Sequence, residues 1–431
     1  MPLWPHQIQA LESLRNTINS RGAALDASDT GTGKTYVAAH LAKELGLPVG
    51  IIAPKAVLPS WARVLKEVGV TPTFLLNYEK IRTGRTPWFS NGKHIIPHWN
   101  FKDGLLIFDE VHRCKSYKTI NGKLLETTAR TNNRVLCMSA TAAQSPLDMK
   151  ALGTLLRLFK PEEFWSWAFK NGVRRDRFGK FVFRGGSEYL ELLHKSLFPD
   201  CGVRMKKAEM GDLFPDNLII AEELEVEDWE ELAKCYQDVT ESLEKLKDRA
   251  ALDKPSDFTP LMRARQKSET MKIPVIHEMV EDLIEEGNSV AVFTNFNDTV
   301  DLLAQRLNTT CVIRGGQDPD ERERNRVDFQ ENRSRVIICN IQAGGVGISL
   351  HDEKGGFPRV ALLCPTFTAV DFKQALGRVH RAGAKSKCIQ KILFAAGTVE
   401  ENVCKRLRAK LNNIDLINDL DLEEVPWTTS N

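Results

Sequence analysis

Short apolar runs alternate with amphipathic stretches in two separate parts of the chain, at about residues 1–155 and 270–412. In the first part the runs are Val49–Ala53, Leu105–Asp109 and Val135–Ser139. In the second part they are Val290–Thr294, Thr310–Ile313, Val336–Asn340, Val360–Cys364 and Cys388–Phe394. Short apolar strands that alternate with helices are typical of parallel sheets covered by helices on both faces. The pattern therefore predicts two α/β domains, with helices such as Asp298–Leu307 and Val399–Leu411 between the strands.

The segment between these two parts is more polar and is predicted to be mainly helical, with Glu227–Leu252 as its clearest helix. Pro255 and Pro260 predict a break before the second α/β part. The chain ends in an acidic tail. The predicted domains are therefore residues 1–155, 156–269, 270–412 and the tail at 413–431.

Composition narrows the class of protein. A hydrophobic fraction of 42% and a charged fraction of 27% over 431 residues are typical of a globular chain rather than a disordered or membrane-embedded one. No apolar run approaches the roughly 18 residues of a membrane-spanning helix, and Met1–Ala10 lacks the pattern of a signal peptide. We therefore expect an intracellular protein, in the cytoplasm, nucleoid or nucleus. The nine scattered cysteines include no C-x-x-C pair, which favours reduced core residues over disulfides or a zinc site.

The glycine-rich string Thr30-Gly31-Thr32-Gly33-Lys34-Thr35 precedes an amphipathic helix. Glycines let the backbone amides curl around phosphate oxygens, and the N-terminus of the helix adds partial positive charge. Lys34 is expected to reach the β- and γ-phosphates of a nucleotide, and the Thr35 hydroxyl is expected to bind Mg²⁺. Ser28 stands where the usual pattern begins with glycine, which still allows the turn.

Two adjacent carboxylates follow the apolar run Leu105–Phe108. An acid at the end of a strand holds Mg²⁺ in ATPases with a phosphate-binding loop, which predicts that role for Asp109. Glu110 can orient and deprotonate the attacking water. Burial of unpaired charge is unfavourable, so the pair indicates a catalytic function rather than a structural one.

Nine strings follow one another in a fixed order. The first part contains Leu3-Trp4-Pro5-His6-Gln7, Ile51-Ile52-Ala53-Pro54-Lys55 with Trp61, Asn77-Tyr78-Glu79, Asp109-Glu110-Val111-His112 and Ser139-Ala140-Thr141. The second contains Val292–Phe296, Gln342–Leu350, Gln374–Arg381 and Gly397-Thr398-Val399-Glu400-Glu401. In this order they resemble the Q-motif, motifs Ia, Ib, II, III, IV, V and VI, and a following segment, of Swi/Snf-like proteins in helicase superfamily 2. The resemblance implies two RecA-like lobes with a mainly helical insertion between them.

The resemblance also implies a role for individual residues. Gln7 is expected to read adenine, Gly347 of motif V to contact the nucleotide, and Gln374, Arg378 and Arg381 of motif VI to complete the ATP site. Arg378 and Arg381 lie three residues apart on one face of a short helix, so they are predicted to supply positive charge to the γ-phosphate across a cleft. Lys55, Thr294, Gly344 and Gly345 are the candidate contacts to a nucleic-acid backbone.

Two other segments have open interpretations. Arg174 and Arg175 begin a basic stretch that runs to Arg184 with phenylalanines interleaved. It is either a second nucleic-acid contact or a hairpin or helix with solvated arginines. His94 and His98 resemble paired metal ligands, but a loop or strand with surface histidines fits better because Pro97 breaks the helix that would align them.

The sequence therefore predicts a nucleic-acid-dependent ATPase that uses ATP and Mg²⁺. The favoured hypothesis is a motor, expected to be monomeric and able to work with protein partners, that translocates on duplex or branched DNA. The alternative is a strand-separating DNA or RNA helicase. A non-hydrolysing clamp switched by ATP is the third hypothesis, and it would predict loss of Glu110 or of the motif VI arginines, all of which are present.

Overall fold

The structure, a computed structural model, describes residues 2–92, 94–207, 209–210, 217–224, 259–344, 348–366, 368–395, 400, 404–405, 407–408 and 411 of the 431-residue chain. The described residues up to Met210 belong to one compact unit, here called unit 1. Those from Asn217 to Arg408 belong to a second, unit 2. Within this described part, no helix combines the length and apolar character needed to cross a membrane.

Unit 1 is built on a six-stranded parallel sheet. The described strands of unit 1, six of which form this sheet, are β1 (Ala23–Asp26), β2 (Val49–Ala53), β3 (Phe74–Asn77), β4 (Phe89–Gly92), β5 (Ile95–Trp99), β6 (Leu105–Asp109), β7 (Arg134–Met138), β8 (Val173–Arg175), β9 (Phe181–Phe183) and β10 (Gly202–Val203). The order in the sheet is β10-β1-β7-β6-β2-β3, and all neighbours run parallel. Two antiparallel hairpins, β4–β5 and β8–β9, lie outside this sheet.

Helices cover both faces of this sheet. They are α1 (Pro5–Arg21), α2 (Lys34–Leu45), α3 (Leu58–Val68), α4 (Tyr78–Ile81), α5 (Ile120–Thr128), α6 (Lys150–Leu155), α7 (Phe164–Lys170) and α8 (Ser187–Leu197), with short 3₁₀ helices at Lys55–Val57, Val111–Cys114, Pro146–Met149 and Pro161–Glu163. Successive residues of a strand point to opposite faces. Accordingly, Leu105 and Ile107 of β6 pack in one hydrophobic cluster, and Leu106 and Phe108 pack in another. Burial on both faces explains why these strands have continuous apolar sequences.

Unit 2 repeats this architecture. Its strands are β11 (Asn217–Leu224), β12 (Ser289–Thr294), β13 (Val312–Ile313), β14 (Val336–Asn340), β15 (Arg359–Leu363) and β16 (Cys388–Ala395). They form a parallel sheet in the order β11-β16-β15-β12-β14-β13. Its described helices are α9 (Thr259–Met271), α10 (Ile273–Glu285), α11 (Asn297–Arg306), α12 (Pro319–Gln330), α13 (Ile341–Gly344) and α14 (Ala369–Val379).

The predicted α/β class with two parallel sheets is confirmed, and each of the eight predicted apolar runs forms a strand. The predicted helix Asp298–Leu307 corresponds to α11. His98 is an exposed residue of β5, in agreement with a surface strand. The eight described cysteines are free and buried, as the composition predicted.

The predicted helical middle segment contains more strand than its periodicity indicated. Besides α7, α8 and α9, it includes strands β8 to β11. Strand β10 has only two residues, and it forms because its backbone pairs with the edge of β1, a contact between distant positions that local periodicity does not reveal. The predicted helix Glu227–Leu252 and the acidic tail at 413–431 lie outside the described residues, and the domain boundaries at 155 and 269 stay predictions.

Candidate active site

The loop between β1 and α2 contains the predicted phosphate-binding string. Gly31 and Gly33 both have φ of 86°, a left-handed conformation that glycine adopts without steric penalty. A Cβ on Gly33 would lie 2.2 Å from Nε2 of Gln7, so any other residue here would displace the end of the Gln7 side chain. Gly33 precedes the first residue of α2, which places the backbone amides of the loop at a helix N-terminus.

Lys34 is the first residue of α2, and its ammonium group turns back onto the loop. It donates hydrogen bonds to the carbonyl oxygens of Ser28 and Asp29, at 2.7 and 2.9 Å. Burial lowers the pKa of Lys34, and the charges of Asp26, Glu110, Asp109 and Asp29 oppose that shift. The lysine is therefore the positive centre of a group of four carboxylates.

Asp26 ends β1 beneath the loop and is 1% exposed. Its Oδ1 accepts a hydrogen bond from the Ser28 amide at 3.0 Å, whereas its Oδ2 has no hydrogen-bond partner. Burial raises the pKa of Asp26, and the charges of Lys34 and Arg204 oppose that rise. Sequence reasoning did not assign Asp26 a role, because its position beneath Lys34 follows from the turn of the loop.

The segment after β10 supports the loop from behind. Arg204 donates to the carbonyl oxygen of Ala27 and pairs with Oδ1 of Asp29, both at 2.8 Å. The amide of Met205 donates to Oγ of Ser28, and the amide of Lys207 donates to Oδ2 of Asp29, both at 3.0 Å. These contacts join residues about 175 positions apart, so only the basic character of residues 203–207 could have drawn attention to them.

Gln7 connects the N-terminus of α1 to the same loop. Its Oε1 accepts from the Trp4 amide, and its Nε2 donates to the carbonyl oxygen of Thr32, both at 3.0 Å. The Thr32 hydroxyl in turn donates to the carbonyl oxygen of Asp29 at 2.9 Å. Gln7 is buried, and Thr30 and Thr35 are half-buried. In this arrangement Gln7 positions the loop, and its predicted contact with adenine stays a prediction.

Asp109 is the last residue of β6, and two aromatic side chains hold it. The indole Nε1 of Trp61 donates to its Oδ2 at 2.8 Å, and the Tyr78 hydroxyl donates to its carbonyl oxygen at 2.8 Å. Burial and the neighbouring charge of Glu110 raise the pKa of Asp109 to about 6, and the Trp61 hydrogen bond opposes this rise. Trp61, which belongs to the string that resembles motif Ia, is fully buried and contacts Asp109.

Glu110 adopts a left-handed conformation with φ of 56°. Its Oε2 lies 3.2 Å from Nδ1 of His112 and accepts from the Ser139 hydroxyl at 3.4 Å. The Ser139 hydroxyl also lies 3.1 Å from Nδ1 of His112 and accepts from the Thr141 amide at 3.1 Å. The strings that resemble motifs II and III therefore share one hydrogen-bond network around the predicted general base.

In unit 2 the two predicted arginines share one acceptor, the carbonyl oxygen of Ile348. The prediction that both lie on one face of a helix is wrong, because α14 ends at Val379 and Arg381 follows it. Arg378 donates to the carbonyl oxygens of Gln374 and Ile348, at 3.1 and 3.3 Å. Arg381 donates to the carbonyl oxygen of Ile348 at 3.4 Å and to the hydroxyl of Ser349. Gln374 and Arg378 are buried. Because Ile348 and Ser349 belong to the string that resembles motif V, the structure brings motifs V and VI together within this unit.

The predicted nucleic-acid contacts differ in accessibility. Lys55, Arg174 and Arg175 are exposed. Thr294, in contrast, is fully buried at the end of β12 and its hydroxyl has no hydrogen-bond partner, so it is not placed to reach a nucleic-acid backbone. Gly344 ends α13, where a Cβ would lie 2.6 Å from that of Cys339. Gly345 and Gly347 lie outside the described residues.

Comparison with known proteins identifies the family to which the chain belongs. Residues 271–383 match the helicase conserved C-terminal domain, and residues 1–67 match the type III restriction enzyme, res subunit. A protein of Acanthamoeba polyphaga mimivirus that is named as an ATP-dependent RNA helicase is 34% identical over 457 residues, covering 98% of this chain and 84% of the relative. The chain belongs to the Swi/Snf-like helicases of superfamily 2. This Swi/Snf-like helicase is therefore a nucleic-acid-dependent ATPase, as the motifs predicted.

Other relatives of this Swi/Snf-like helicase are longer than the chain itself. An Arabidopsis thaliana protein named as an ATP-dependent DNA helicase is 23% identical over 461 residues, covering 94% of this chain. The match covers only 42% of that relative. Among solved structures, the Sulfolobus solfataricus SWI2/SNF2 ATPase core in complex with dsDNA is 18% identical and covers 98% of both chains, with a TM-score of 0.38.

Proposed function

We propose that this Swi/Snf-like helicase hydrolyses ATP at the loop between β1 and α2 and uses the energy to translocate on duplex DNA. The observation that supports this site is the placement of Lys34, whose charge interacts with those of Asp109 and Glu110 although about 75 residues separate them in sequence. A cation for phosphates and a carboxylate pair for metal and water are the groups that phosphoryl transfer to water requires.

The residues of the site fit a bound Mg²⁺ ion. Asp109 and Glu110 are adjacent carboxylates, and the charge of Glu110 helps to raise the pKa of Asp109, a repulsion that a divalent cation would relieve. Mg²⁺ is usually held by one or two carboxylates together with phosphates, which is the kind of ligand set that Asp109 and a bound nucleotide would provide. Asp109 and the Thr35 hydroxyl would hold the ion. When bound, Mg²⁺ neutralises charge on the phosphates of ATP.

Glu110 is the proposed general base. Its carboxylate would accept a proton from water as the water oxygen bonds to the γ-phosphorus and the bond to the β,γ-bridging oxygen breaks, which releases ADP and phosphate. The contacts to His112 and Ser139 hold that carboxylate in one orientation. Lys34 would leave the Ser28 and Asp29 carbonyls to contact the β- and γ-phosphates, and Arg381 retains its predicted part in hydrolysis.

Duplex DNA is the proposed track, because the family resemblance is to proteins that usually translocate without separating strands. The Arabidopsis relative is named as a DNA helicase, which agrees with this choice. Strand separation on RNA is the second candidate, since the mimivirus relative is named as an RNA helicase. Contacts to the backbone alone carry little sequence information, so we expect weak sequence preference in either case.

Steady-state ATP hydrolysis tests this proposal. The rate is measured without nucleic acid and then with duplex DNA, single-stranded DNA, forked DNA and RNA, with Glu110→Gln as the inactive control. The proposal predicts strong stimulation by duplex DNA and loss of hydrolysis in Glu110→Gln at every condition. Stimulation by RNA or single strands alone would favour the second candidate, and absence of hydrolysis with ATP still bound would contradict the motor.

A further inference from the structure

A β-hairpin in unit 1 carries an exposed aromatic ring at its tip. Strands β8 and β9 pair antiparallel, with Val173 opposite Phe183 and Arg175 opposite Phe181. The turn between the strands holds Phe178, which is 71% exposed, more than any other described aromatic side chain. A single exposed apolar side chain is common at protein surfaces, so the interpretation of this ring depends on the turn and the charges around it.

The turn that presents this ring is ordered by its own hydrogen bonds. Oδ1 of Asp176 accepts from the amides of Phe178 and Lys180, both at 2.9 Å. The Asp176 amide donates to the carbonyl oxygen of Lys180 at 2.9 Å, and Gly179 adopts the left-handed conformation that closes the turn. The ring therefore projects from a fixed turn, which lowers the conformational entropy lost on binding.

The hairpin concentrates positive charge around the ring. Residues 174–184 contain five cations (Arg174, Arg175, Arg177, Lys180 and Arg184) and one acid, a net charge of 5 − 1 = +4 in a chain of net charge +2. The acid is Asp176, whose carboxylate oxygen is engaged in the turn. The guanidinium group of Arg177 lies 4.8 Å from the centre of the Phe178 ring, so cation and ring are presented together.

Aromatic packing links the hairpin to the segment that follows the proposed catalytic carboxylates. The Phe181 ring stacks on Trp165 with ring centres 4.1 Å apart, and Trp165 contacts Tyr117 edge-on at 6.0 Å. Tyr117 follows the 3₁₀ helix Val111–Cys114, which begins directly after Glu110. Two successive ring contacts therefore connect the hairpin to a position seven residues after Glu110.

We propose that this hairpin binds the junction between single- and double-stranded DNA, where the Phe178 ring stacks on the exposed base and the arginines contact neighbouring phosphates. The inference rests on the proposed function and adds the DNA structure that the motor recognises. An aromatic ring stacks on nucleic acid where a base face is uncovered, as at a junction, whereas bases inside a duplex cover one another. An acidic protein would pair with the arginines only. A nucleotide offers both a base that stacks on the Phe178 ring and a phosphate that pairs with the neighbouring guanidinium.

Binding of the full chain to labelled forked DNA, blunt duplex and single strand, measured by fluorescence anisotropy, tests the hairpin. Phe178→Ala removes the ring, Phe178→Trp keeps a ring, and Phe178→Leu keeps apolar bulk without one. The matched control is Ile96→Ala, which removes a 78% exposed side chain from the other hairpin of the same unit, β4–β5. Melting temperatures and blunt-duplex ATPase rates should be unchanged in all four variants, because these side chains lie at the surface.

The proposal predicts that Phe178→Ala and Phe178→Leu bind forked DNA about tenfold more weakly, in the range expected for loss of one base stacked on an aromatic ring. Phe178→Trp and Ile96→Ala should bind it as the unchanged chain does, and affinity for blunt duplex should be the same in all. Equal weakening on every DNA, or no weakening on the fork, would overturn the junction contact even if duplex DNA stimulates hydrolysis. Absence of stimulation in the unchanged chain would instead contradict the proposed function.

Discussion

At the scale of single residues, Asp109 is a functional group whose buried charge lowers the stability of the folded chain. Its carboxylate is buried next to Glu110, and one indole donor, Trp61, partly offsets the burial. The sequence predicted Asp109 and Glu110 because an acid pair after an apolar strand is a local pattern. It could not assign Trp61 to Asp109, because that contact depends on how α3 packs against the sheet.

Replacement of Asp109 by Asn should stabilise the protein while it abolishes ATP hydrolysis. The pKa of Asp109 is raised from 3.8 to about 6 in the folded chain. Between these values the folded state binds more protons than the unfolded state, so the free energy of unfolding falls as pH rises through this window. Above about pH 6 the loss amounts to about 2–3 kcal/mol, at 1.36 kcal/mol for each pKa unit. Asn carries no charge, so the variant does not undergo this loss of stability.

Thermal unfolding of the unchanged chain and of Asp109→Asn, at pH 7.5 and at pH 4.5, measures this effect. Asp109→Asn should melt at the higher temperature at pH 7.5, and the difference should shrink at pH 4.5, where Asp109 is protonated in the folded chain. A difference that is the same at both pH values would show that the ionisation of Asp109 does not cause it.

Trp61→Phe should move the acidic limb of the ATPase pH profile to higher pH. The indole hydrogen bond favours the charged form of Asp109, so its loss raises the pKa of that carboxyl. Trp99→Phe is the matched control, because its indole donates to the carbonyl oxygen of Leu124 at 3.0 Å and does not contact Asp109. Both variants lose a buried hydrogen bond, but only Trp61→Phe should shift the profile. Equal profiles in the two variants would refute the role of Trp61.

At the scale of elements, the phosphate loop depends on a segment far away in sequence. The loop follows β1, and residues 204–207 follow its sheet neighbour β10, so that Arg204 and Asp29 form an ion pair with side chains 8% and 12% exposed. The long apolar strands were predictable because each is buried on both faces. Strands β1 and β10 were not, since Ala23–Asp26 and Gly202–Val203 are too short to show a period.

Arg204→Met should destabilise unit 1 by about 3 kcal/mol, because it leaves the buried carboxylate of Asp29 without its ion-pair partner. It should also raise KM for ATP, since the loop loses the contacts that hold Ala27 and Asp29. Arg15→Met is the matched control: its pair with Glu44 has side chains 41% and 38% exposed and should contribute less than about 1 kcal/mol. Denaturant unfolding and ATPase kinetics measure both effects. Similar losses of stability in the two variants would contradict the proposed role of Arg204 in holding the phosphate loop.

At the scale of the whole molecule, the chain contains two parallel-sheet units and its proposed functional residues belong to both. The phosphate loop and the carboxylates belong to unit 1, and Arg378 and Arg381 belong to unit 2. The alternation of apolar strands and helices in two separate parts of the chain made this division predictable. The β8–β9 hairpin was an open interpretation, since Arg174–Arg184 has the composition of either a contact or a solvated turn.

Arg381→Ala should lower the rate of ATP hydrolysis by roughly 10³-fold, as loss of an arginine that stabilises charge on the transferred phosphoryl group does. Nucleotide binding, measured by calorimetry, should change little because the phosphate loop is intact. Arg333→Ala is the control in the same unit, since that arginine is exposed and pairs with Asp328. Hydrolysis at the unchanged rate in Arg381→Ala would remove this arginine from the mechanism.

Displacement of a labelled third strand from a DNA triplex tests the central claim, translocation on duplex DNA, most directly. With ATP the chain should release the third strand while the two strands of the duplex stay paired, and Glu110→Gln should release nothing. Separation of the duplex strands, or ATP hydrolysis without release of the third strand, would contradict the account.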